Sequence, residues 1–580
     1  MNYSMKDFYF KLYHVNSLSG LESCLENNLE ALEYPVVYIL YDEKELYIGE
    51  TTDLKNRLLS HSKSEKNKSL KNRIVIYSPF FNKSVALGLE TFLLKNFVSP
   101  IKKSEKTGIE SPKRKTSNSN LVTSKHKYFN KTEYESRFPN IWESLKDIDI
   151  IEPSLNFDEI QNLDIYKYSP YKELNEDQQD AILKVLRGLS QGKTSFVIRG
   201  LAGTGKTIVA IYLMKLLVTD VKTIEKDNLY SEFSTEVFAL LQLINVDLQM
   251  NFNSGNSAFI LPMESLRATI GNVFKSIDGL AKKMVVGPSL AINNRYKLVI
   301  VDEAHRLKQY ENLSGPADFS AFKKRNIQLG LDPTKGNQLD WIEQSTDIQI
   351  LFYDKDQSIR KTDVPNNYFE SYFKRRKSIF IDLKQQLRSK GGNLYIDYID
   401  GVLKQELTAM QREEFEDFEL KLMPNFKSLV DSIKQKEIKI GLSRVIAGFA
   451  WKWDSKDDDK LMDIEIEGYN YQWNRQVKDW INSKNAINEI GSIHTTQGYD
   501  LNYVGIVFGK EIYLDPEDGK IKINRDFYFD VKGKNKTSDI ELKHFIINIY
   551  KNMMYRGIYG VYVYCMDKQL QKYFEQYISY

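Results

Sequence analysis

Gly200-Leu-Ala-Gly-Thr-Gly-Lys-Thr207 fits the pattern G-x-x-x-x-G-K-T. It stands between an apolar run, Ser195-Phe-Val-Ile-Arg199, and a stretch apolar at helical spacing, Ile208 to Leu217. A strand, a glycine-rich turn and a helix in that order point to an open parallel sheet whose turn cradles phosphate. Gly200, Gly203 and Gly205, with Thr204 inside the turn, let successive amide N–H groups and the helix N-terminus face phosphate oxygens. Lys206 supplies a charge for the β and γ phosphates, and Thr207 a hydroxyl for Mg²⁺. The expected ligand is a nucleoside triphosphate.

Two later stretches supply the rest of a hydrolytic site. Lys297-Leu-Val-Ile-Val301 is a continuous apolar strand that runs into Asp302-Glu-Ala-His305. An acidic pair at the end of such a strand lies where a parallel sheet places its ligand. Asp302 is expected to orient Mg²⁺ and Glu303 to act as general base for the attacking water. A third strand, Ile348 to Tyr353, ends in Asp354-Lys-Asp-Gln357, which places Gln357 as a γ-phosphate sensor. Ahead of the loop, Leu174-Asn-Glu-Asp-Gln178 opens a helix. The Gln178 amide can both accept from and donate to adenine, which favours ATP over GTP.

A chain of 580 residues exceeds what one hydrophobic core serves, so several domains are expected. No apolar run approaches the roughly 20 residues that span a bilayer, and the N-terminus lacks a basic region followed by an apolar one, so the cytoplasm is the expected compartment. Two cysteines, Cys24 and Cys565, without ligand-like spacing, exclude a disulfide framework and a structural zinc. A formal charge of only +3 confines any nucleic-acid surface to a local patch.

Near the N-terminus, Val36-Val-Tyr-Ile-Leu40 and Leu46-Tyr-Ile-Gly49 flank a short turn and read as a hairpin. Asp53 then caps a helix on which Arg57 and His61, four apart, share a face. After a strand at Ile74–Tyr77, a helix from Ser84 to Phe97 carries Glu90 among apolar residues. Together these residues resemble the GIY-YIG nuclease family over roughly residues 35 to 103: Tyr38 as the first tyrosine, Tyr47-Ile48-Gly49 as the second motif, then Arg57, His61 and Glu90 in order. The resemblance implies that Glu90 holds one divalent metal, Mg²⁺ or Mn²⁺, that Arg57 binds the scissile phosphate, and that Tyr38 or Tyr47 with His61 prepares the attacking water. The sequence departs from the family at the late asparagine expected shortly after Pro100, where Ile101 and Lys102 stand.

The order of the C-terminal motifs resembles that of superfamily 1 helicases. Gln386-Leu-Arg388-Ser389 matches the arginine motif that opens a second RecA-like lobe. Ile493 to Asp500, with Gln497 and Gly498 at its turn, matches the motif joining phosphate site to nucleic-acid groove, and Arg556-Gly557 the last arginine motif. That resemblance implies that Arg388 and Arg556 reach the γ-phosphate, so that ATP closes the lobes. Trp451, Trp453 and Trp473 read as core rather than as base-stacking platforms and, with the acidic motif and the Arg556-Gly557 ending, look like Schlafen-like P-loop domains. The expected architecture is α/β. A small α+β GIY-YIG domain (1–103) precedes a flexible basic linker (104–131), a helical connector (132–172), a first RecA-like lobe with helical insertions (173–370) and a second such lobe (371–580). The expected activity is ATP-dependent translocation on DNA coupled to phosphodiester cleavage, by analogy in antiphage defence. The alternatives are a nucleic-acid-gated ATPase switch whose N-terminal domain only binds, and an RNA-processing enzyme.

Overall fold

A computed structural model describes the chain except residues 1–7, 26–27, 65–66, 104–109, 119–127, 161, 225–231, 359, 409–411, 457, 459, 476–479, 484 and 497–498. The chain divides into two units: Met1–Ser190 with Ile211–Gly255 and Ile270–Met284, and Gln191–Ala210 with Asn256–Thr269 and Val285–Tyr580.

In the first unit, β1 (Lys11–His14), β2 (Val36–Tyr41), β3 (Glu45–Thr51), β4 (Asn72–Tyr77) and β5 (Lys115–Thr116) form one sheet in the order β1-β4-β2-β3-β5. The expected hairpin is β2–β3, paired antiparallel with Tyr38 opposite Gly49. Its turn is closed by Asp42, whose Oδ1 accepts from the N–H groups of Lys44 and Glu45, both at 2.7 Å. Asp53 caps α1 (Leu54–Lys63), accepting from Asn56 N–H as its spacing predicts. Helix α2 (Lys83–Lys95) packs on β2 and β3, burying Leu89 and Leu93 in the same core as Ile141, Trp142 and Leu145 of α3 (Phe138–Asp147). The helical connector is thus part of the N-terminal core.

The stretch expected as a flexible linker is, where described, folded into the sheet. β5 pairs parallel with β3, and Arg114, Thr116, Ser117 and Asn118 are buried. Arg114 donates to the carbonyls of Asp42 (2.9 Å) and Asp149 (2.7 Å) and lies over the Tyr41 ring. A polar composition does not make a linker when every polar group finds a buried partner. The insertion from Asp220 onward packs within the first unit. Its helix Glu232–Gln242 buries Val237 and Leu241 and pairs Glu236 with Arg187 of α4 (Glu176–Ser190).

The second unit is built on two all-parallel sheets. In chain order the first holds β6 (Ser195–Gly200), β7 (Ser257–Ile260), β8 (Val285–Val286), β9 (Tyr296–Val301), β10 (Thr346–Tyr353) and β11 (Ile379–Leu383), arranged β8-β7-β9-β10-β6-β11. Between β6 and β7 runs α5 (Lys206–Val218), and between β10 and β11 runs α6 (Asn366–Arg375). The boundary expected at residue 370 therefore falls later. β11 pairs with β6 and buries Ile381 and Leu383, so the first sheet extends to Leu383. The second sheet holds β12 (Glu419–Leu422), β13 (Ser443–Ala447), β14 (Leu501–Phe508) and β15 (Gly557–Cys565) in the order β12-β15-β14-β13. Trp473 is buried in its core, with Trp451 and Trp453 packed partly against it. The insertion around Pro316–Gln328 makes a small core of its own, Phe322 against Trp341. Among the described residues no helix is long and apolar enough to cross a membrane.

Candidate nuclease and ATPase sites

In the first unit, α1 is aimed by its Asp53 cap so that Arg57 and His61 both meet the hairpin. Arg57 Nε donates to the Tyr38 hydroxyl at 3.0 Å, and that oxygen lies 2.7 Å from His61 Nε2. Asn67 presents Nδ2 to His61 Nδ1 at 2.8 Å, which places the ring proton on Nε2. Tyr38 then accepts from both His61 and Arg57, leaving its own proton the one to give up. The Tyr47 ring lies 4.8 Å from the imidazole and stacks on Tyr38 at 6.1 Å. Gly49 is required here: a Cβ would sit 2.5 Å from the Tyr38 hydroxyl and 2.8 Å from Tyr47 Cε1.

Glu90 is buried on α2. Lys83, seven residues earlier and so on nearly the same face, reaches Glu50 of β3 at 2.6 Å, which lays that face along the second tyrosine motif. Asn118, from the expected linker, accepts from Ile48 N–H at 3.0 Å and donates to Ile48 C=O at 2.5 Å. Its carboxamide continues the β5 ladder where the backbone leaves the sheet. No local pattern marks Asn118, because its partner is 70 residues away.

In the second unit, the phosphate loop leaves β6 with Gly203 and Gly205 at φ +84° and +80°, a region costly for residues with a Cβ. Lys206 Nζ donates to the carbonyls of Gly200 (2.6 Å) and Leu201 (2.9 Å) and lies 3.3 Å from Asp354 Oδ2. The same carboxylate oxygen accepts from Gln357 Nε2 at 2.6 Å, so the loop lysine and the expected sensor share Asp354, whose role the sequence did not reveal. Thr207 Oγ1 donates to Asp302 Oδ2 at 2.7 Å. Thr204 Oγ1 closes the turn onto Leu201 C=O.

Glu303 sits in the left-handed region at φ +54°, strain of the kind concentrated at functional sites. Its Oε2 is 2.9 Å from His305 Nε2. Burial and the adjacent Glu303 charge push the Asp302 carboxyl up to about 7. Burial would raise Glu303 as well, but His305, Lys206 and Arg306 outweigh it and hold that carboxyl below its ordinary range. One carboxylate is kept ionised and the other is poised near neutrality.

Gln386 is bound to the phosphate loop: its Nε2 donates to Ala202 C=O at 2.6 Å, and Leu387 N–H donates to Gly203 C=O at 2.8 Å. This seats Arg388 beside the loop. Its guanidinium pairs with Asp500 and donates to Tyr555 C=O. Arg556 is buried and donates to Tyr499 C=O at 3.2 Å. Both arginines thus converge on residues 499–500, directly after Gln497 and Gly498, which lie outside the described residues. Gln178 is buried in the first unit, in the first turn of α4, where its Oε1 accepts from Asn175 N–H and Asn175 Oδ1 accepts from Gln178 N–H.

Among the described residues no group of three or more His, Cys, Asp or Glu could hold a metal. The donor sets that do occur suit a hard, oxygen-seeking cation that keeps its waters: Thr207 with Asp302 in one unit, Glu90 in the other.

Comparison with known proteins agrees with this anatomy. Residues 34–104 match the GIY-YIG catalytic domain, and residues 193–567 match the Schlafen group 3, DNA/RNA helicase domain. An uncharacterized protein of Saccharomyces cerevisiae, YPL245W, is 26% identical over 443 residues, covering 68% of this chain and 88% of its own length. Among solved structures, a Pif1 helicase described in DNA unwinding at forked duplexes is 10% identical, with a TM-score of 0.25 over 67% of this chain and 92% of that one. The Candida albicans Pif1 helicase is 11% identical, with a TM-score of 0.25 over 70% and 98%. The arterivirus nonstructural protein 10 helicase is 12% identical, with a TM-score of 0.27 over 67% and 63%. The chain belongs to the Schlafen group 3 DNA/RNA helicase domain family and carries a GIY-YIG catalytic domain ahead of that region.

Proposed function

We propose that this protein is an ATP-dependent nuclease-translocase acting on DNA, in which the second unit hydrolyses ATP and the first cleaves phosphodiester bonds. The observation that carries the ATPase reading is the 2.7 Å approach of Thr207 Oγ1 to Asp302 Oδ2, with Lys206 and Gln357 gathered on Asp354 close by. These are the groups that a Mg²⁺-bound triphosphate needs from a protein: hydroxyl and carboxylate for the ion, ammonium for the phosphates, amide for the terminal phosphate or water. Mg²⁺, when bound, neutralises charge developing on the β and γ oxygens. Glu303, held ionised, takes the proton of the attacking water. Arg388 and Arg556 stabilise the transferring phosphoryl group once released from Asp500 and Tyr499.

At the nuclease site Arg57 neutralises the scissile phosphate, and Tyr38, which loses its phenolic proton to bulk water and is held as the phenolate by donors from Arg57 and His61, takes the proton of the incoming water. Tyr47 packs the imidazole in place. Glu90 is the residue that would hold the divalent metal, Mg²⁺ or Mn²⁺, and that ion would stabilise the leaving oxygen.

ATPase and cleavage measured over single-stranded, duplex and branched DNA and RNA test the reading, with Lys206→Ala and Glu90→Ala alongside. Lys206→Ala is expected to abolish ATP turnover, and Glu90→Ala cleavage alone. Cleavage that persists unchanged in Glu90→Ala overturns the nuclease assignment. ATP hydrolysis without strand displacement identifies the gated switch instead, and stronger stimulation by RNA than by DNA at matched salt identifies RNA processing. The cellular role proposed by analogy is defence against phage. It predicts that plating efficiency on expressing cells falls with the wild type and recovers with Lys206→Ala.

A further inference from the structure

Beside the phosphate loop, on the α6 side of the first sheet, lies a cavity of about 710 Å³, within the range of small-molecule sites. Its wall includes Gly200, Leu201 and Asp354, the last being the carboxylate that meets Lys206. None of residues 203–207, whose amides form the phosphate cradle, lines it. Two of the unit's exposed large apolar side chains, Leu201 and Phe380, open into it, with relative exposures of 41% and 46%. Phe380 meets Phe373 edge-to-face at 5.6 Å, and Arg199 lies over its ring at 4.7 Å, held there by two hydrogen bonds to Asp382.

Charges of both signs line the cavity, Lys355 and the Arg199–Asp382 pair among them. Asp356 and Glu370 gather around Tyr353, whose phenol is pushed above its ordinary value by burial and then by Asp354, Glu370 and Asp356. Lys374, on the last turn of α6, and Lys377, just beyond it, are both exposed and line the wall with Phe373 and Phe380. One exposed aromatic ring with carboxylates and ammonium groups around it matches one ligand chemistry. It offers a face for a base to stack on, acceptors for exocyclic amino groups and cations for a phosphate.

We propose that this cavity binds a nucleotide, its base stacked on the exposed Phe380 ring, its amino group on Asp356 or Glu370, and its phosphate on Lys374 and Lys377. The nucleotide is either free or one unit of a single strand. Occupancy presses on Asp354, and so on the position of Lys206 and Gln357.

The test is equilibrium binding to the full chain of AMP and CMP by calorimetry, and of a labelled single-stranded dodecamer by anisotropy, with the phosphate loop saturated by Mg·ADP. Wild type is compared with Phe380→Ala and with Lys374→Ala/Lys377→Ala. A fall of about tenfold or more in mononucleotide affinity in both variants supports a free-nucleotide site. The same fall for the dodecamer alone supports a strand subsite. Equal affinities for both ligands in all three proteins overturn the proposal. All three altered side chains are exposed, and the paired-lysine variant carries the test if Phe380→Ala does not fold. ADP titration of each variant reads the phosphate loop separately, so failure of the ATPase reading is distinguishable from failure of this one.

Discussion

Replacing Asn118 with alanine tests whether the chain after residue 110 is part of the nuclease fold or a tether. The Asn118 side chain serves both peptide groups of Ile48, accepting from N–H at 3.0 Å and donating to C=O at 2.5 Å. Asn118 and Ile48 are both buried, so alanine leaves a donor and an acceptor unsatisfied. The net loss of two hydrogen bonds is about 1–3 kcal/mol, and with water reaching one of the two stranded groups the other adds a desolvation cost of about 1 kcal/mol. The total cost is about 2–4 kcal/mol. A chain of two units need not unfold in one step, so a global midpoint is a poor readout. The suitable assay is native-state hydrogen exchange of the Ile48 amide. At 1.36 kcal/mol per tenfold change, its protection is expected to fall by roughly 30- to 1,000-fold, with DNA cleavage weakened and ATPase unchanged. Asn118→Asp preserves the acceptor but turns an ionised oxygen toward the Ile48 carbonyl, so it is expected to be at least as damaging. Ile48 protection within threefold of wild type in both variants refutes the reasoning.

Gly49→Ala forces a Cβ to within 2.6 Å of Tyr38 Cζ. Because an ångström of displacement at a reacting group costs about 10² in rate, cleavage should fall by about that factor while ATP turnover is retained. Asp302 is held near 7 by burial and Glu303, above the ordinary carboxyl range, so protons compete with Mg²⁺ at neutral pH. The Mg²⁺ concentration for half-maximal ATPase should rise about tenfold per unit as pH falls below 7 and level off above it, and a flat profile between pH 6 and 8 contradicts the assignment. Gln386→Ala removes the donor to Ala202 C=O. A net bond of about 1 kcal/mol converts to a kcat/KM for ATP lowered about fivefold, measured by steady-state kinetics.

The sequence alone determined what depends on neighbours in the chain. A strand, glycine turn and helix declare a phosphate loop because the loop's conformation is set by Gly203 and Gly205 themselves. The β2–β3 hairpin, the Asp53 cap and the i, i+4 pairing of Arg57 with His61 were legible for the same reason. What only the tertiary structure decided depends on partners far away in sequence. Asn118 reads as linker until Ile48 is placed beside it, and Asp354 as an ordinary turn acid until Lys206 reaches it across 148 residues. The edge strand β11 reads as the start of a second lobe until its backbone pairs with β6. A buried polar group is stabilised by whichever partner the fold delivers, and composition carries no record of that partner.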